Sequence, residues 1–88
     1  MFEQIINVDR MEQAVSLFGS FDENIKMIEK RFNVSVSNRD ELIKISGSEK
    51  NTTLAQQSIE ALIAIAEKGE QIIPQNVNYV MDMAFENN

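Results

Sequence analysis

The sequence contains no cysteine, no histidine and no tryptophan, and it has only three glycines and one proline. Without His and Cys, the chain lacks the usual metal ligands, the commonest general base and the thiol nucleophile. The phosphate-loop pattern GxxxxGK followed by Ser or Thr does not occur around Gly19, Gly47 or Gly69. These absences predict that the chain is not an enzyme and holds no metal or cofactor of its own.

Long hydrophobic runs and a basic leader are also missing. The opening MFEQIINVDR has no basic region followed by an apolar stretch, so we expect no signal peptide. The apolar runs are only a few residues long, so we expect no membrane partner. With no cysteine in addition, a cytoplasmic location is the expectation.

The residues that are present indicate one globular domain. The chain has 88 residues, of which 43% are hydrophobic and 25% charged, enough for a single modest core. The net charge of −6 disfavours strong electrostatic binding of nucleic acid. The charge is uneven, because residues 24–50 carry six Lys or Arg against four Asp or Glu. This mild asymmetry directs attention to the middle of the sequence.

The first part of the chain predicts a strand and two helices. Residues 2–8 are rich in β-branched and aromatic side chains, which favour a strand. Apolar residues at helical spacing over 11–18 predict a first helix, which Gly19 ends. Ser20 and Glu23 fit a capping box, so a second helix begins almost at once. The two helices therefore meet at a tight turn at Gly19–Ser20, and the apolar stripe of the second comprises Phe21, Ile25, Ile28 and Phe32.

The remainder predicts a hairpin and two further helices. Residues 34–37 and 42–46 alternate apolar and polar side chains, and the NRDE segment between them has turn chemistry. Ser48 is a candidate cap for a long helix over 52–68, and Gly69 is expected just beyond its end. Pro74 favours the start of a last helix with an apolar stripe. The predicted fold class is α+β, a three-stranded sheet covered on one face by helices.

The order of these elements resembles the KH domain of RNA-binding proteins in its βααββα form. The KH pattern IGxxGxxIxxI can be laid on LFGSFDENIKMI, with Gly19 as the first glycine and Ile25 and Ile28 as the two spaced isoleucines. Asp22 occupies the place of the second glycine. In KH domains this loop clamps about four nucleotides. The resemblance implies a KH-like domain over 1–70 and an extra C-terminal helix over 71–88.

A closer resemblance covers nearly the whole chain. The phrases LFGSFDENIKMIEKRFNVSV, ISGSE, AEKGE and IIPQNVNYVMDMA are similar to the N-terminal region of the PhoH family, whose members join a KH-like domain to a P-loop ATPase domain. The resemblance implies that the ATPase domain lies outside this chain, and that ATP and Mg²⁺ are expected only there. The hairpin departs from the family, because NRDE stands where a basic, glycine-containing turn is common.

Two functions remain open at this point. In the first, the chain binds single-stranded RNA for an ATPase domain, and the predicted nucleic-acid-binding residues are Gly19, Ser20, Phe21, Lys26 and Lys30. In the second, it is a docking or oligomerisation module for the PhoH-type ATPase domain or a second copy. Its predicted interface residues are Val77, Tyr79, Val80, Met81, Met83 and Phe85, whose apolar side chains suit an adaptable contact.

The acidic character of the turn bears on this choice. Gly19 can simply end one helix while Ser20 and Asp22 cap the next, with no ligand involved. Asp22 and Glu23 also bring negative charge to the place where a phosphate would approach. An acidic turn therefore favours docking, whereas a basic turn would favour RNA.

Overall fold

The computed structural model describes residues 2–7, 22–39, 42–70 and 72–86. The predicted helix over 11–18 and the turn at Gly19–Ser20 lie outside these ranges. The α+β class is confirmed, because a three-stranded antiparallel sheet is combined with helices in an order consistent with a KH-like fold and an added C-terminal helix. The elements are β1 (Phe2–Asn7), α1 (Asp22–Phe32), β2 (Ser35–Arg39), β3 (Leu42–Gly47), α2 (Glu49–Glu67) and α3 (Pro74–Glu86).

The strands are ordered β1-β3-β2, and both pairs are antiparallel. The predicted hairpin is confirmed, with Val36 opposite Ile45. β2 continues through Arg39, which pairs with Leu42, so two of the four residues predicted as turn belong to the strand. The hairpin places β3 at the centre of the sheet and leaves β2 at an edge.

The two faces of the sheet differ in burial. Ile6 lies opposite Ile43, and both are buried, as is Ile45. Ile5 lies opposite Lys44 on the other face, and both are exposed. Alternation along a strand sends successive side chains to opposite faces, so this pattern defines one buried face. α2 packs against β1 and β3 and contributes to that core.

Both ends of α2 follow the predicted chemistry. The Ser48 hydroxyl oxygen accepts a hydrogen bond from the Asn51 N–H at 3.1 Å, which satisfies one of the free donors of the first turn. The helix starts at Glu49, before the predicted start at residue 52. Its last turn is followed by Gly69, whose φ of 80° is left-handed. Glycine tolerates this conformation without a Cβ clash.

α3 begins at Pro74, as predicted, and packs against α2. Its inner side joins the core of the domain through Val77, Val80, Met81 and Ala84. The C-terminal helix therefore shares one hydrophobic core with the sheet. Within the described ranges, no helix combines the length and apolarity needed to cross a bilayer.

Candidate nucleic-acid interface

α1 has an apolar inner side and a basic outer side. Ile25, Ile28 and Phe32 are buried in the core, which confirms the predicted stripe for these three residues. Lys26 and Lys30 are exposed. Residues four apart lie on one side of a helix, so the two ammonium groups share a surface.

The end of α1 turns the chain directly into β2. Asn33 adopts a left-handed conformation with φ of 52°, and the Val34 N–H donates to the Glu29 carbonyl oxygen at 3.1 Å. This is the bonding pattern of a Schellman motif, with asparagine in the position that glycine usually takes. The motif brings edge strand β2 alongside the C-terminal half of α1.

The Glu29 side chain extends this contact. Its Oε2 accepts a hydrogen bond from the Val36 N–H at 2.8 Å, in a partly buried setting. The N–H groups of Val36 in β2 and of Val34, just before the strand, therefore both point towards Glu29. We call the surface formed by Lys26, Glu29, Lys30 and the start of β2 the α1–β2 flank. No pattern in the sequence predicts the contact between Glu29 and Val36, which joins residues seven apart across a turn.

Arg31, the third cationic residue of α1, forms an ion pair with α3 and not with the α1–β2 flank. Its Nη2 lies 2.6 Å from the Asp82 Oδ1 of α3, and the two side chains are 37% and 58% exposed. An exposed ion pair of this kind contributes between about 0 and 1 kcal/mol. Its main effect is to direct the Arg31 guanidinium towards α3, so the basic character of the α1–β2 flank depends on Lys26 and Lys30.

The structure therefore describes only part of the predicted nucleic-acid site. Lys26 and Lys30 lie on one surface, as the spacing predicted. Gly19, Ser20 and Phe21 fall outside the described residues. The nucleic-acid role of all five stays a prediction.

The predicted interface on α3 divides into two sets. Val77, Val80 and Met81 are buried in the chain's own core and cannot touch a partner directly in this conformation. The other three are exposed, Tyr79 by 63%, Met83 by 41% and Phe85 by 60%. We call these three the α3 outer face. Their contact with a partner stays a prediction.

A polar depression lies where α2 begins. Its volume is about 590 Å³, and it is bounded by the start of β2, the end of β3 and the first turn of α2. Among the residues that the structure describes, no charged side chain lines it, so those residues offer hydrogen bonds without charge. Among the described residues, no group of three or more acidic side chains is arranged to hold a metal ion. The lining residues are Asn33, Val34, Ser35, Ser46, Gly47, Ser48 and Asn51.

The fold and its surfaces define a small α+β domain of KH-like class, with a cationic helix flank and a separate apolar helix face. No protein-family model matches the chain, and no solved structure matches it either. A PhoH-like protein of Bacillus subtilis (strain 168) is 34% identical over 76 residues, which cover 86% of this chain and 24% of the relative. PhoH-like proteins of Mycobacterium leprae and Mycobacterium tuberculosis (strain H37Rv) are each 30% identical over 70 residues, 80% of this chain and 20% of theirs. The chain is therefore related to the PhoH family, and it spans about a quarter or less of the length of these relatives.

Proposed function

We propose that this chain is the non-catalytic, KH-like N-terminal domain of a PhoH-like ATPase, and that it associates weakly with single-stranded RNA. The similarity to PhoH-like proteins over most of the chain supports the family part of this proposal. The matched segments cover only 24% and 20% of the relatives, so ATP binding and hydrolysis are assigned to sequence outside these 88 residues.

One observation carries the RNA part: Lys26 and Lys30 are exposed together on α1, beside an edge strand of the sheet. Ammonium groups on one surface attract successive phosphates of a flexible strand, and binding releases the counterions of those phosphates. The net charge of −6 opposes this attraction at longer range. The expected affinity is therefore low and strongly dependent on salt.

The test is a titration of fluorescein-labelled single-stranded RNA of about ten nucleotides, at about 50 mM salt and at several higher concentrations. The Lys26→Gln/Lys30→Gln variant should weaken binding and reduce the slope of log K against log salt by about one to two. The matched control is Lys50→Gln/Lys68→Gln, which removes two exposed charges from α2 and its C-terminal cap. Equal losses in both variants, or no binding of the unmodified chain at high protein concentration, would contradict the proposal.

A second candidate is a docking module, and the α3 outer face favours it. Tyr79 and Met83 are four residues apart and are exposed on one side of α3, and Phe85 is exposed on a neighbouring side of the same helix. Exposed apolar side chains of this kind are typical of a protein contact. The relatives contain much more sequence than this chain, so the ATPase domain of the same protein is the proposed partner, with a second copy as the other option.

Sedimentation of the chain alone and with the separately produced ATPase domain of the matching parent protein tests this candidate. Docking predicts a complex that the Tyr79→Ser/Phe85→Ser variant loses. A monomer that does not bind the ATPase domain would remove the candidate.

A further inference from the structure

We propose that Glu29 competes with RNA for a hydrogen-bond donor on the α1–β2 flank. Its carboxylate accepts from the Val36 N–H, which a bound RNA would otherwise use, and so lowers the affinity of the flank for RNA. This inference rests on the proposed RNA association. It assigns to Glu29 a role in setting affinity, distinct from the roles of the two lysines.

The first step of the argument is the position of the donor. β2 is an edge strand, and the N–H groups on the free side of such a strand are available to an incoming chain unless something covers them. Here the Glu29 carboxylate covers one of them, the Val36 N–H, at 2.8 Å, and the Glu29 backbone carbonyl accepts at 3.1 Å from Val34, the residue just before the strand. The backbone contact is part of the helix end and is fixed. The carboxylate contact depends on one flexible side chain and can be displaced.

The second step concerns what could replace the carboxylate. A neighbouring β-strand needs about 4.7–4.9 Å of separation and a row of free donors and acceptors. α1 is already hydrogen-bonded at Val34, immediately before β2, which leaves no place for an added strand beside the start of β2. A single acceptor oxygen from a phosphate or a base fits instead, because one carboxylate oxygen already occupies the position.

The third step is charge. Glu29 lies three residues from Lys26 and next to Lys30, so its negative charge lies on the surface that attracts phosphate. A carboxylate there repels an approaching phosphate and screens the lysines. Glu29 therefore opposes RNA binding in two ways, through its negative charge and through its hydrogen bond to the Val36 N–H.

Two substitutions separate these effects. Glu29→Gln removes the charge and retains an oxygen that can accept from Val36, whereas Glu29→Ala removes both. Glu60→Gln on the exposed side of α2 is the control for the change in net charge. We expect the affinity for the labelled RNA at about 50 mM salt to rise about fivefold in Glu29→Gln and further in Glu29→Ala, with a smaller rise in Glu60→Gln.

A second measurement follows the Val36 amide itself by ¹⁵N NMR. In the unmodified chain, RNA should shift the Val36 resonance more than that of the core residue Val80. This experiment decides the question even where Glu29→Ala does not fold. No Val36 shift at saturating RNA overturns the proposal.

The outcomes also separate this inference from the proposed function. If the unmodified chain binds RNA but Glu29→Ala binds no more tightly than Glu29→Gln or Glu60→Gln, the competitor role alone is overturned. If neither the unmodified chain nor Glu29→Ala binds, RNA association and the competitor role are both overturned. Binding by Glu29→Ala alone supports the competitor role and contradicts the proposed RNA association of the unmodified chain.

Discussion

The α1–β2 flank and the α3 outer face are the outer sides of two helices that share one core. Ile28 of α1 and Val77 of α3 are both fully buried, so the inner sides of these helices are chemically alike. Their outer sides differ: the flank carries lysines and a strand edge covered by Glu29, whereas α3 exposes the apolar side chains of its outer face beside Asp82. The core therefore does not indicate which class of partner binds. Each of the two surfaces can be altered separately without disturbing the core.

The largest expected effect tests the shared core. Ile28→Ala in α1 and Met81→Ala in α3 each remove a buried side chain, and each should lower the free energy of unfolding by about 2–5 kcal/mol. Urea unfolding followed by circular dichroism should show a single transition in both variants. A separate early transition confined to Met81→Ala would show that α3 is not part of the same cooperative unit, and the comparison would fail.

The next effect concerns the helix end that shapes the flank. Asn33 has a φ of 52°, and a residue with a Cβ but no local hydrogen bonding is disfavoured there. Asn33→Ala should cost about 1 kcal/mol in urea unfolding, while Asn33→Gly should cost less. Gly69→Ala, at the left-handed end of α2, is the matched control and should cost about as much. A neutral Asn33→Ala would contradict the left-handed geometry of this turn.

A smaller effect on stability is expected at the α3 outer face. Tyr79 and Phe85 are mostly exposed, so Tyr79→Ser/Phe85→Ser should change the free energy of unfolding by about 0.5 kcal/mol or less per site. The same variant should lose docking in sedimentation and retain the RNA affinity of the unmodified chain. Loss of RNA binding would mean that the two surfaces do not act separately.

The smallest expected effect on stability concerns the exposed face of the sheet, which belongs to neither of the two compared surfaces. Lys44 Nζ is 2.9 Å from Glu3 Oε2, and this hydrogen bond and the ammonium charge hold the pKa of Glu3 below its usual value. Because the folded-state pKa is depressed, the pair stabilises the fold above the unfolded-state pKa and loses this contribution as pH falls through the folded-state value. NMR titration of the Glu3 carboxyl should show a higher pKa in Lys44→Gln, and the two proteins should become closer in stability at acid pH. An unchanged Glu3 pKa would contradict the contact.

The sequence predicted those features that depend on local chemistry. Gly69, Ser48 and Pro74 each have a conformational or hydrogen-bonding preference that acts within one helical turn, and each stands where it was expected. The apolar stripe through Ile28 was likewise visible in the spacing. Several short phrases and the order of the elements also predicted the PhoH family relationship, which the similarity to PhoH-like proteins confirms.

Contacts between elements could not be predicted in this way. Glu29 reaches Val36 because the turn at Asn33 folds β2 back against α1, and Arg31 reaches Asp82 across fifty-one positions of sequence because α3 packs beside α1. Periodicity showed that Val77, Val80 and Met81 lie on or near an apolar stripe, but it could not show whether that stripe faces the core or a partner. The packing places all three in the core.

Because α3 shares the hydrophobic core with the sheet and the other helices, a truncated form of this protein must retain it. A version shortened after Glu70 would lose Val77, Val80, Met81 and Ala84 and would open to water the apolar side of α2 on which they rest. Such a fragment would lack part of its hydrophobic core and would be prone to aggregate. A working boundary for biochemical study therefore belongs beyond Glu86.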